Sequence, residues 1–107
     1  MKLDELNKKR EMFQTEGNIL KEIEVLREIL TETEKEYSFE SDEYIKALNE
    51  LGGTLKYVGY YDEAESNLKK SLEIIKKKYG DNNLAYATSL LNLTEVYRFA
   101  QKFNLLE

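Results

Sequence analysis

Two equivalent pairs of residues, 42 positions apart, each combine a cation with an aromatic ring. Lys56 precedes Tyr57, and 42 positions later Arg98 precedes Phe99. An ammonium or guanidinium group binds carboxylates, and the neighbouring ring offers a face for stacking or packing. Asn49 adds an amide that can hydrogen-bond to a peptide backbone. These residue types indicate recognition of a polypeptide.

The sequence lacks several of the side chains that enzymes most often use for catalysis. The chain has 0 His and 0 Cys, which removes the usual general base, the thiol nucleophile and the commonest metal ligands. No glycine-rich phosphate loop is present. The oxygen-rich stretches 40–43 (ESDE) and 80–83 (GDNN) lack the ligand spacing of a calcium loop and are interpreted as helix caps. We therefore predict no enzyme, no cofactor and no metal.

The composition favours an all-helical chain. There are 107 residues with 0 Pro and 5 Gly, enough for one domain. The net charge of −5 argues against nucleic acid as a partner. No apolar run approaches the ~20 residues of a membrane span, and the first residues lack the apolar segment of a signal peptide. We predict no membrane partner and a cytoplasmic location.

A spacing of 42 residues organises the elements that carry these side chains. It relates Gly17 to Gly59, Leu26 to Leu68, Leu30 to Leu72, Leu48 to Leu90 and Leu51 to Leu93. The apolar periodicity predicts helices at about 2–16, 19–37, 42–58, 61–79 and 83–101, with a final helix beginning near Phe103. Tyr37, Tyr61 and Tyr79 fall on the apolar stripe and are predicted to lie in the core.

The middle unit contains Leu51-Gly52, Gly59-x-Tyr61-x-x-Ala64, Leu68 and Leu72. This pattern resembles the tetratricopeptide repeat, in the long 42-residue form of kinesin-light-chain-like proteins. The resemblance covers essentially the whole chain and implies a right-handed α-α superhelix of antiparallel helix pairs. It implies a single domain, 1–107, with a degenerate repeat 1 at about 2–40, repeat 2 at about 42–81 and a truncated repeat 3 at about 83–107.

Small residues in this pattern let the two helices of a unit approach closely, as Gly52 and Ala64 do in the middle unit. The first unit departs from the pattern, because Arg10 and Glu22 occupy these two positions. A polar first unit is typical of the capping end of a repeat array.

The resemblance also implies that the first helix of each pair lines a concave groove that binds a peptide or a partner segment. The groove positions are Asn49, Gly53, Lys56, Tyr57, Leu91, Glu95, Arg98 and Phe99. The alternative for each is an ordinary solvated helix residue. The clamp that chaperone adaptors use for a terminal carboxylate lacks its cations here, since its positions hold Asn7, Glu11, Glu50, Thr88 and Asn92.

The third unit contains a first helix but almost no second helix. Apolar residues such as Leu90 and Tyr97 would therefore lack partners, and we predict self-association through the C-terminal helix at high concentration. The alternative function is a structural or oligomerising helical segment of a larger protein, such as a bacterial signalling protein, with no peptide-binding role of its own.

Overall fold

The computed structural model describes residues 2–104, with the side chains of residues 2–102. Five α-helices make up this part of the chain, and no strand occurs within it. They are α1 (Lys2–Glu16), α2 (Ile19–Glu36), α3 (Asp42–Leu55), α4 (Tyr61–Tyr79) and α5 (Leu84–Asn104), and a 3-10 turn, Lys56–Val58, extends α3. The predicted all-α class is confirmed.

Consecutive helices pack against each other, which their short connections force into an antiparallel arrangement. In addition, α3 contacts α5, so the first helices of successive pairs lie side by side. The molecule measures 44 × 37 × 19 Å. Its thin dimension matches two layers of helices, each about 10 Å across. The arrangement is the predicted α-α superhelix of helix pairs.

The two corners within the helix pairs have the same backbone geometry. Gly17 and Gly59 adopt φ of 73° and 82°, a left-handed conformation that other residues rarely adopt. The N–H that follows each glycine bonds back across the end of the helix, from Asn18 to Phe13 O at 2.9 Å and from Tyr60 to Leu55 O at 3.2 Å.

No such corner interrupts α5. Gln101 lies 42 residues after Gly59, and the helix continues through it to Asn104. Because a left-handed turn costs a non-glycine residue about 1–2 kcal/mol, glutamine favours continuation of the helix. The prediction that a new helix begins near Phe103 is therefore wrong; residues 105–107 lie outside the described part.

The crossing of α3 and α4 contains the small residues that the sequence pattern predicts. A Cβ atom built on Gly52 would lie only 2.7 Å from Cγ of Leu68. Ala64 and Leu68 are fully buried, as are Leu48 and Leu55. The backbones of the two helices therefore approach as closely as they do because position 52 has no side chain.

The tyrosine prediction is correct for one residue and wrong for two. Tyr61 packs against the core, as predicted. Tyr37 and Tyr79 are exposed instead. They lie at the C-terminal ends of α2 and α4, and Tyr79 donates a hydrogen bond of 2.7 Å to Oδ1 of Asp42, the first residue of α3. Because each lies at the end of its helix, the neighbouring helices of the described chain leave more than half of each tyrosine exposed.

Candidate protein-interaction surface

Five of the predicted groove residues come together between the end of α3 and the middle of α5. We call this group the Lys56 cluster: Lys56, Tyr57, Glu95, Arg98 and Phe99. The Lys56 ammonium donates a hydrogen bond to Oε1 of Glu95 and lies 5.1 Å and 5.4 Å from the ring centroids of Tyr57 and Phe99. The two rings meet edge to face, with centroids 5.7 Å apart.

Lys56 is only 5% exposed, so its charge is already paired inside the protein. Both a carboxylate and two aromatic rings stabilise the ammonium group where water is excluded. The cluster thus joins α3 to α5, and Lys56 is poorly placed to meet an outside carboxylate. Its role in binding stays a prediction.

Arg98 is the accessible cation of the cluster. Its side chain is 71% exposed and lies 3.7 Å from Glu95, three residues before it on α5. An exposed ion pair of this kind is weak, about 0.2–0.5 kcal/mol, and leaves the guanidinium able to bind another carboxylate. Leu91, two turns earlier, is also exposed. These two side chains offer a partner a cation and an apolar contact.

The pKa of the Glu95 carboxyl is lowered, first by the hydrogen bond from Lys56 and then by the positive charge of that group. The ionised form is therefore favoured in the folded state. Such a carboxylate stabilises the fold above its ordinary pKa, and the contribution disappears as the pH falls through the lowered value.

We expect Glu95→Gln to lower the free energy of unfolding at pH 7, and the difference from the native chain to shrink as the pH falls below the ordinary carboxyl range. Urea unfolding at several pH values measures this difference. Glu34→Gln is the control, because Glu34 is exposed and forms no ion pair in the described chain. A pH-independent difference for Glu95→Gln would contradict the prediction.

The side chain of Asn49 belongs to a ring of three hydrogen bonds inside the protein. Its Nδ2 donates to Oγ of Ser71 at 3.2 Å, and its Oδ1 accepts from Ser89 at 2.9 Å. The two serine hydroxyls are 2.9 Å apart and fully buried, so Ser71 donates to Ser89 and closes the ring. The ring joins α3, α4 and α5. Asn49 retains one donor and one acceptor site for a partner.

Gly53 lies on the same face of α3 and faces α5. The nearest atoms to a Cβ built there belong to the Asn92 amide, at 3.8 Å. The predicted groove residues thus divide into the Lys56 cluster, two residues beside α5 (Asn49 and Gly53) and the exposed Leu91.

Two clefts open beside the N-terminal half of α3. Of the eight predicted groove residues, only Asn49 lines one of them, the apolar cleft. The polar cleft has a volume of about 420 Å³ and lies between α1, α2 and α3. The apolar cleft has a volume of about 480 Å³ and lies between α3 and α5. Lys46 and Glu50, one helical turn apart, line both clefts. From helical periodicity alone these two residues are merely polar positions of α3. The clefts cannot be read from that pattern because neighbouring helices form their other walls.

The departures from the repeat pattern in the first unit form an ion pair. Nε of Arg10 donates to Oε2 of Glu22 at 3.2 Å, and Nη1 donates to Oε2 of Glu50 at 3.3 Å. The Glu22 side chain is only 8% exposed. The crossing that Gly52 and Ala64 form in the second unit is therefore occupied in the first unit by two charged side chains that neutralise each other.

Among residues 2–104, no helix is both long enough and apolar enough to cross a membrane. The described residues contain no cluster of three or more acidic side chains placed to hold a metal ion.

The chain matches a known protein family. A model of the tetratricopeptide repeat matches residues 43–105, which is more than half of the chain. The matched segment runs from the first turn of α3 to the end of α5. Searches of curated proteins and of solved structures gave no match.

Proposed function

The chain belongs to the tetratricopeptide repeat family, a non-catalytic fold for protein–protein interaction, and on that premise we propose that it binds a peptide or partner segment in the groove lined by α1, α3 and α5. The observation that carries the proposal is the exposed pair of Arg98 and Leu91 on α5, about one to three helical turns beyond the α5 residues that line the apolar cleft. Within the groove, Arg98 binds a carboxylate and Leu91 an apolar side chain.

We also propose that the repeats are of the long 42-residue form found in kinesin-light-chain-like proteins. The spacing of equivalent helices supports this, because α2 and α4 begin at Ile19 and Tyr61, and α3 and α5 begin at Asp42 and Leu84. The division into repeats at about 2–40, 42–81 and 83–107 rests on the same spacing.

Charge reversal at Arg98 tests the binding role. Peptides are selected on the immobilised chain from a random library, and their affinity is then measured by fluorescence anisotropy. We expect Arg98→Glu to weaken binding at least tenfold, which corresponds to about 1.4 kcal/mol. The melting temperature, followed by circular dichroism, is expected to change little because the side chain is exposed.

The matched control is Lys9→Glu. Lys9 is an exposed cation on α1 that lines neither cleft and forms no ion pair among the described residues. Lys56→Glu is unsuitable, because it would place a second carboxylate beside Glu95 and disturb the contact between α3 and α5. Equal affinity of native and Arg98→Glu chains would contradict the groove proposal at this position.

A second candidate function is oligomerisation through α5. Leu90 is 46% exposed, whereas its 42-residue equivalent Leu48, which faces α4, is fully buried. Tyr97 is likewise exposed, whereas its equivalent Leu55 is fully buried. The face of α3 that is covered by α4 thus has an uncovered counterpart on α5, and burial of such a face drives association.

We expect the chain to form dimers at hundreds of micromolar, and Leu90→Asp to keep it monomeric by placing a charge on the uncovered face. Light scattering across a concentration series measures the mass. Leu84→Asp is the control, since Leu84 is an exposed leucine of the same helix at its first residue. A strict monomer at these concentrations would exclude self-association.

A further inference from the structure

We propose that the segment bound in the groove carries a large apolar side chain next to basic residues, with the apolar side chain in the apolar cleft and the basic residues in the polar cleft. The inference rests on the proposed groove function and adds the chemistry of the partner. It places the main contacts along the N-terminal half of α3, about two to four helical turns before Lys56.

The apolar cleft provides the anchor site. Ile45 and Ala85 line it from facing helices, and the exposed Leu84 and Tyr79 stand at its edge. Its volume of about 480 Å³ lies within the range of ligand pockets, about 300–1,000 Å³. When an apolar side chain of a partner fills such a cleft, the apolar surface removed from water favours binding by about 25 cal/mol per Å².

The charges that line the polar cleft determine which charge the partner segment carries next to its apolar side chain. Its lining contains four carboxylates and two cations. Arg10 is engaged by Glu22 and Glu50, whereas Lys46 is 78% exposed and lies 4.0 Å from Glu50 in a weak pair. In the part of the chain that the structure describes, Asp4, Glu11 and Glu43 have no cation within ion-pair distance.

Four carboxylates against two cations give the cleft lining a net negative charge, so like-charge repulsion remains and a cation is attracted. Lysine or arginine side chains of a partner relieve this repulsion, whereas an acidic segment adds to it. The aliphatic part of a partner lysine also packs along the walls of the polar cleft while its ammonium group reaches the carboxylates.

The two clefts form one binding surface. Lys46 and Glu50 line both, and the pitch of a helical turn is about 5.4 Å. An extended chain advances about 3.3 Å per residue, so residues close in the partner sequence reach both clefts.

The test selects peptides from a random library on the full chain and compares two substitutions with matched controls. Ala85→Glu places a carboxylate in the apolar cleft, and Ala87→Glu places one on the same helix outside it. The triple variant Asp4→Asn, Glu11→Gln, Glu43→Gln neutralises the polar cleft. Its control, Glu16→Gln, Glu34→Gln, Glu36→Gln, changes the net charge equally at exposed sites outside both clefts.

We expect selected peptides to contain Leu, Ile, Met or Phe beside Lys or Arg. Ala85→Glu and the polar-cleft triple variant should each weaken their binding at least tenfold, and the controls less than twofold. Binding by the native chain should weaken as salt is raised, and the triple variant should show a smaller salt dependence.

Two results would overturn the inference while leaving the groove function standing. One is enrichment of acidic peptides; the other is peptides that bind less tightly to Arg98→Glu but equally well to Ala85→Glu and the triple variant. Selection of no peptide at all by the folded chain would overturn both proposals.

Discussion

Replacement of Gly52 by alanine is expected to destabilise the fold by about 1–3 kcal/mol, although alanine favours a helix more than glycine does. The added Cβ would lie 2.7 Å from Cγ of Leu68, which is the branch point of a fully buried side chain. The two helices therefore have to move apart, or Leu68 has to leave its rotamer. Either change disrupts the packing between α3 and α4.

The adjacent glycine provides the matched control. A Cβ on Gly53 would meet only the Asn92 side chain, at 3.8 Å, which is an ordinary contact. Gly53→Ala is therefore expected to leave the free energy of unfolding unchanged or to raise it by up to about 1 kcal/mol. Urea unfolding of the two variants measures the difference. Equal stabilities would show that the close approach at Gly52 contributes nothing.

Arg10→Met is the second substitution with a large expected effect, a loss of about 2–3 kcal/mol. Methionine keeps much of the apolar stem but removes the guanidinium, which leaves the buried Glu22 carboxylate without its cation. Arg27→Met, which breaks an exposed ion pair with Glu63 at 2.7 Å, is the control and is expected to cost less than about 1 kcal/mol.

A double variant separates the effect of the unpaired charge on stability from the effect of packing. In Arg10→Met/Glu22→Leu both members of the buried pair become apolar, and most of the lost stability should return. Chemical unfolding of Arg10→Met, Glu22→Leu and the double variant measures the coupling. A loss of stability for Arg10→Met that is no larger than the loss for Arg27→Met would be the contrary result. It would contradict the view that the Arg10–Glu22 ion pair stabilises the first unit in place of the small-residue contact of the second unit.

Local residue chemistry made the helices and corners predictable. Apolar spacing located all five helices of the described chain to within three residues at their ends, and Gly59 marked a corner because its left-handed conformation excludes most other residues. The same logic applied to position 101 would have predicted the continuation of α5, since that position holds Gln101. The error came from carrying the repeat spacing past a residue that cannot form the corner.

The sequence located the candidate surface only in part. The 42-residue spacing related Lys56 to Arg98 as equivalent cations. In the folded chain one is buried in an ion pair with Glu95 and the other is exposed, because α5 packs over Lys56 whereas the ion pair of Arg98 is with a residue of its own helix. Periodicity assigns a residue to a face of its own helix but does not say what covers that face.

The sequence alone therefore determined the helical repeat, its family and the close crossing at Gly52, because these depend on backbone preferences and on side chains spaced along one helix. Only the tertiary structure decided that Arg10 neutralises Glu22, that Asn49 closes a ring with two serines, and that two clefts meet along α3. Each of these depends on side chains from different helices, often tens of residues apart in the chain, whose contacts follow from packing and leave no regular spacing in the sequence.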